Sequence, residues 1–182
     1  MTPASFVTLF RLVLIPFFLM AVTYGHPRAA LWIFVVSGVS DGLDGIIARY
    51  FGQKTVLGAV LDPMADKLVL TAAYIVLALP HAGLAHPIPM WLPLLTISRD
   101  VLIVLLSLVL NMTLDVKKFP PSWPGKFTTF FQIAFALAVL LQNAYGLPAP
   151  LVQGLLWTVV ALTVYSGVHY IWRVRLQARE AG

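Results

Sequence analysis

The chain has no cysteine in its 182 residues, which excludes both a disulfide framework and a thiolate metal site. Charge is nearly as scarce: 10% of residues are charged, against about a quarter in an ordinary soluble domain. Hydrophobic residues make up 60%, and the mean hydropathy is +0.90. An ordinary soluble domain is thereby excluded, and an integral membrane protein is expected. A cleavable leader is not expected, because Arg11 interrupts the first apolar stretch and no small-x-small site follows. The net charge of +5 would suggest nucleic acid for a soluble protein. Here it reads as loop charge that sets topology and meets anionic lipid, so membrane lipid and not nucleic acid is the expected partner.

What the chain does have is long apolar runs. A bilayer needs about 20 apolar residues per helix, and six stretches qualify: Ser5–Tyr24, Ala29–Arg49, Leu57–Leu79, Ile88–Leu110, Lys126–Asn143 and Ala149–Trp172. The breaks "YGHPR", "LPHAGLAHPIP", "KKFPPSWPGK" and "NAYGLPAP" carry the Pro and Gly that end helices. The expected fold is all-α: one domain over residues 1–182 with six transmembrane helices. Lys54 follows span 2, Lys117, Lys118 and Lys126 follow span 4, and Arg173, Arg175 and Arg179 close the chain. The loops after spans 3 and 5 have no Lys or Arg, and Arg28 after span 1 is the exception. The positive-inside rule then puts both termini in the cytoplasm, with the active side of an inner membrane protein facing it. Trp91, Trp123, Trp157 and Trp172 read as interfacial anchors.

The few acids are unevenly spread. Four of the seven, Asp41, Asp44, Asp62 and Asp66, fall late in span 2 and early in span 3. Spacings of three and four put each pair on one helix face, near the cytoplasmic ends. A single carboxylate in a membrane helix costs about 2.5–3.5 kcal/mol on insertion scales, so four together call for bound cations. Oxygen ligands suit Mg²⁺ or Mn²⁺. Four carboxylates could hold a two-metal site of the kind used in phosphoryl-type displacement. Gly42, Gly45, Ala48, Gly52 and Gly58 leave room for a ligand or for close helix packing. Arg49 offers a forked donor to phosphate.

The pattern Asp41-x2-Asp44-Gly45-x2-Ala48-Arg49-x8-Gly58-x3-Asp62-x3-Asp66 resembles the signature of the CDP-alcohol phosphatidyltransferases, with eight fixed residues in 26 positions. The resemblance implies a homodimer of six-helix subunits with a polar cavity at the cytoplasmic side. It implies transfer of a phosphatidyl group from CDP-diacylglycerol to an alcohol, with release of CMP. By position, Asp41, Asp44 and Asp62 would ligate the metals. Asp66 would be the general base and a further metal contact. Gly45, Ala48, Arg49 and Gly58 would hold the CDP end.

Four features bear on the acceptor. Ser5-x2-Thr8-x2-Arg11 resembles the Asn-x2-Thr-x2-Arg opening of phosphatidylglycerophosphate synthases, which adds Thr8 to the CDP-binding set. "ISRDVLIV" and "YSGVHYIWR" resemble cardiolipin synthases, and "GKFTTFFQ" is similar to a region common to both branches. An anionic glycerol-type acceptor is therefore expected, glycerol 3-phosphate or phosphatidylglycerol, with inositol phosphate or serine as alternatives. Arg99 is the expected acceptor-binding residue, with an ion pair to the acid cluster as its other reading. Lys117 and Lys126 join it, with topology charge as theirs. Adjacent helical residues point apart, so Arg99 and Asp100 are each expected to have a separate partner. A divalent-cation transporter is the rival class, but it would more often show inverted repeats meeting at the midplane.

Overall fold

A computed structural model describes residues 3–51, 56–80, 83–114 and 123–180, with side chains described at 9–40, 67–80, 83–107 and 123–175. These residues form six helices: α1 (Pro3–Thr23), α2 (Pro27–Phe51), α3 (Val56–Ala78), α4 (Trp91–Leu114), α5 (Trp123–Tyr145) and α6 (Ala149–Glu180). Pro27, Pro124 and Pro150 sit at the first or second position of their helices, where a missing N–H costs nothing and the fixed φ is already helical. α1 ends in a Schellman motif. The His26 N–H donates to Ala21 O at 2.8 Å, the Gly25 N–H donates to Val22 O at 3.1 Å, and Gly25 has φ +71°, a conformation that glycine adopts without strain.

Most boundaries differ by a few residues from the sequence expectation, and two of the differences have a clear local cause. α4 begins at Trp91 and not at Ile88. Pro87 and Pro89 interrupt the helical pattern there, and the Ile88 N–H is turned to Leu77 O, 3.0 Å away, at the end of α3. That contact satisfies one of the carbonyls a helix end leaves open. α6 runs on to Glu180, well past Trp172, because the tail is rich in Arg, Leu, Gln and Ala, all good helix formers.

The helices pack in a ring whose order differs from the chain order. α1 touches α2 and α3, α2 touches α5, α5 touches α6, α6 touches α4, and α4 returns to α3; α3 also reaches across to α5. Three connections meet at one end. A Cβ on Gly83 would fall 2.8 Å from Gly25 Cα. The Asn143 side chain accepts from the His86 N–H at 2.9 Å and donates to His86 O at 3.0 Å. Arg28 donates Nε–H to Ala144 O at 3.4 Å and lies 5.6 Å from the centre of the Tyr145 ring.

Near that end the interior is apolar. Phe18, Val22, Leu31, Phe34, Tyr74, Leu77, Leu92, Phe135, Val139 and Leu140 are buried together. Phe18 stacks on Phe34 with centroids 5.9 Å apart, and Tyr74 meets Phe135 at 6.1 Å. The exterior is apolar too: Trp32, Leu94, Val104, Phe130, Trp157 and Val168 are all at least 60% exposed. A water-soluble domain rarely shows so much contiguous apolar surface. α5 and α6 are each long and apolar enough to cross a membrane.

Candidate active site

Toward the other end the interior changes character. Arg11, Ser37, Thr96, Arg99, Thr128, Gln132, Thr163 and Ser166 are buried. In α1 and α2 these residues lie on the far side of Phe18 and Phe34 from the stitched loops, and in α4, α5 and α6 they continue away from Leu92, Val139 and Val159. Buried polar groups need partners, and most of these have them. Thr128 Oγ1 is 2.8 Å from Pro124 O and 3.2 Å from Leu162 O, so one hydroxyl joins α5 to α6. The Tyr74 hydroxyl donates to Gln132 O at 3.1 Å, joining α3 to α5. Ser107 and Tyr170 share a hydrogen bond between α4 and α6.

The centre of this region is an ionic network. Lys67 Nζ on α3 lies 2.6 Å from Asp100 Oδ2 on α4. Arg99 Nη1 lies 2.7 Å from Asp100 Oδ1, and Arg99 Nη2 donates to Ser166 Oγ on α6. Three helices, α3, α4 and α6, are tied by four side chains. Each of Arg99 and Asp100 has a separate partner, as expected, in Ser166 and Lys67; that the two would not also pair with each other is corrected here. Although neighbouring residues leave a helix in different directions, the arginine side chain is long enough to fold back onto the adjacent carboxylate. Arg99 Nε is buried and has no hydrogen-bond partner among the described residues.

The predicted acid positions lie on α2 and α3, in the halves of those helices away from the stitched loops. Asp41 and Asp44 fall in the later part of α2, and Asp62 and Asp66 in the first half of α3. The side chains of Asp41, Asp44, Gly45, Ala48, Arg49, Gly58, Asp62, Asp66 and Thr8 lie outside the described residues, as does Lys117 altogether. As donors, four carboxylates on two helices are an all-oxygen set that fits a hard divalent cation. Among the described residues no group of three or more His, Asp or Glu side chains could hold a metal. Lys126 is exposed at the start of α5, its ammonium 5.8 Å from the centre of the Trp123 ring.

Sequence reasoning missed Lys67 and Ser166. Lys67 is hidden by its neighbours, because it directly follows Asp66 at the end of the motif. A basic residue in the middle of an apolar run was the available signal. Ser166 carries no signal apart from lying inside "YSGVHYIWR".

An all-helical bundle with an apolar exterior, two of its helices long and apolar enough to cross a membrane, is consistent with a membrane protein. The chain belongs to the CDP-alcohol phosphatidyltransferase family, which it matches over residues 1–165. It is 35% identical over 178 residues to a probable phosphatidylglycerophosphate synthase of Mycobacterium tuberculosis, covering 93% of this chain and 80% of that one. It is 37% identical over 172 residues to a CDP-diacylglycerol–glycerol-3-phosphate 3-phosphatidyltransferase of Haemophilus influenzae, covering 91% and 89%. It is also 32% identical over 180 residues to a putative cardiolipin synthase of Mycobacterium bovis, covering 98% and 81%.

Proposed function

We propose that the protein transfers the phosphatidyl group of CDP-diacylglycerol to a hydroxyl of glycerol 3-phosphate and releases CMP. The observation that carries this reading is the unbroken eight-residue motif from Asp41 to Asp66, in a chain that matches the family over most of its length. The names of the relatives at 35% and 37% identity favour glycerol 3-phosphate. "ISRDVLIV" keeps phosphatidylglycerol, with cardiolipin as product, as a second reading.

In this scheme Asp66 accepts the proton of the acceptor hydroxyl as its oxygen bonds to the phosphorus that carries diacylglycerol. The bond from that phosphorus to the CMP oxygen breaks, and CMP leaves with the electron pair. A carboxylate base lowers the barrier because an alcohol is a weak nucleophile until its proton is being removed. Asp41, Asp44 and Asp62, with Asp66, would hold Mg²⁺ or Mn²⁺, which when bound neutralises pyrophosphate charge. Gly45, Ala48, Arg49, Gly58 and Thr8 would take the CDP end.

The rest of the reading is architectural. All six helices would span the inner membrane, with both termini and a polar cavity on the cytoplasmic side. The location of Lys54, Lys117, Lys126 and the C-terminal arginines supports that orientation. Two copies would form the working homodimer. The test is purified protein with CDP-diacylglycerol, Mg²⁺ and an acceptor panel of glycerol 3-phosphate, phosphatidylglycerol, inositol phosphate and serine. CMP release should depend on glycerol 3-phosphate and yield phosphatidylglycerophosphate. Turnover with serine alone would refute the acceptor assignment.

A further inference from the structure

The network around Asp100 has one carboxylate and two cations. Arg99 alone is enough to neutralise Asp100. Its side chain is only 8% exposed, and its two terminal nitrogens are committed to Asp100 and Ser166. Lys67 is the surplus. Its side chain is 43% exposed, and its Nζ reaches Asp100 Oδ2 at 2.6 Å. Among the described residues the network therefore carries one positive charge in excess, and that charge sits on the accessible member.

Stability alone does not call for such a residue. Lys67 lies midway along α3, and ionisable residues inside membrane segments generally serve a ligand or a pathway. Lys67 also lines an open, mostly apolar cleft of about 400 Å³ in which Thr71, Arg99 and Asp100 are the other polar residues. An ammonium has three N–H donors, so the bond to Asp100 leaves two for a ligand.

We propose that Lys67 binds the phosphate of the acceptor. This rests on the anionic acceptor proposed above and assigns it a residue. Arg99, the residue expected from sequence for this task, instead holds Asp100 in place, and Asp100 in turn aims the Lys67 ammonium. The placement is economical, because Lys67 follows Asp66 directly and lies about 1.5 Å further along the helix axis. An acceptor held at Lys67 has its charged end at the depth of the proposed base.

The test compares wild type, Lys67→Gln and Lys67→Arg as full-length protein in detergent. Binding is read from the thermal shift caused by glycerol 3-phosphate and, separately, by CMP. Turnover is read as KM for each substrate. In Lys67→Gln the acceptor shift should vanish and the acceptor KM should rise about 10–100-fold, the range for one charge-assisted phosphate contact. The CMP shift and the KM for CDP-diacylglycerol should hold, as should the ligand-free melting temperature, since the Arg99–Asp100 pair remains. Lys67→Arg should recover most of the acceptor binding.

An undiminished glycerol 3-phosphate shift in Lys67→Gln overturns the assignment. So does a fall in ligand-free melting temperature that tracks the loss of binding and is not restored in Lys67→Arg, because that marks a structural ion pair. The acceptor panel separates the two proposals. If wild type uses only serine, both fall. If it uses inositol phosphate, the glycerol reading falls and Lys67 is judged with inositol phosphate as the probe.

Discussion

Asp100 accepts from two cations that depend on it unequally. Arg99 is buried and has no other charged partner among the described residues, whereas Lys67 can turn toward solvent or ligand. Replacing Asp100 by Asn should therefore strand a buried guanidinium, at a cost of about 3–5 kcal/mol. Thermal unfolding in detergent should show a large drop for Asp100→Asn and little change for Lys67→Gln. At the motif, Asp66→Asn keeps the shape of the side chain but removes the base. Turnover should be abolished while CMP binding by titration persists; near-normal turnover would take Asp66 out of the base role. The sequence made these residues legible to different degrees. The aspartates stand out because acids are rare in the chain. The Arg99–Asp100 pair was missed because helical spacing describes where side chains leave the backbone, and not where a long flexible one ends.

Helix ends were easier to read than helix interiors, since Pro and Gly mark them. "LPHAGLAHPIP" was read as a break, and it is one; that two of the breaks would lock together was not readable, because no local pattern encodes a contact between Gly25 and Gly83. Gly83 has φ +62°, and a Cβ there would fall 2.9 Å from Gly25 N. Gly83→Ala should therefore destabilise by about 1–3 kcal/mol, combining backbone strain with a forced shift of the neighbouring loop. Gly38 is the control: it lies within α2, and a Cβ there meets nothing within 4 Å. Gly38→Ala should be neutral or stabilise by about 0.5–1 kcal/mol, because glycine is a poor helix former. The difference in melting temperature between the two alanine variants checks both. Arg28 also makes sense at this scale. It was the one basic residue that broke the charge pattern of the loops. In the structure it sits at the C-terminal end of α5, over Tyr145 and against Ala144 O, where a cation meets the negative end of the helix dipole.

Across the whole molecule the interior is divided. One half is a conventional packed core; the other holds buried arginines, threonines, serine and glutamine. Composition made the helical class and the six apolar runs legible, because period and length are local properties. The ring order and the split interior were not legible, because both depend on which faces meet. If the acid end works with divalent ions, chelation with EDTA should stop CMP release, and excess Mg²⁺ or Mn²⁺ should restore it. Turnover that continues in a fully metal-depleted sample would remove the metal from the scheme.

The three connections that meet through Gly25, Gly83, His86, Asn143 and Arg28 have a mechanical consequence. They bind the bundle the way a cord binds cut stems, so that all six helices are fastened to one another at that end through their connections.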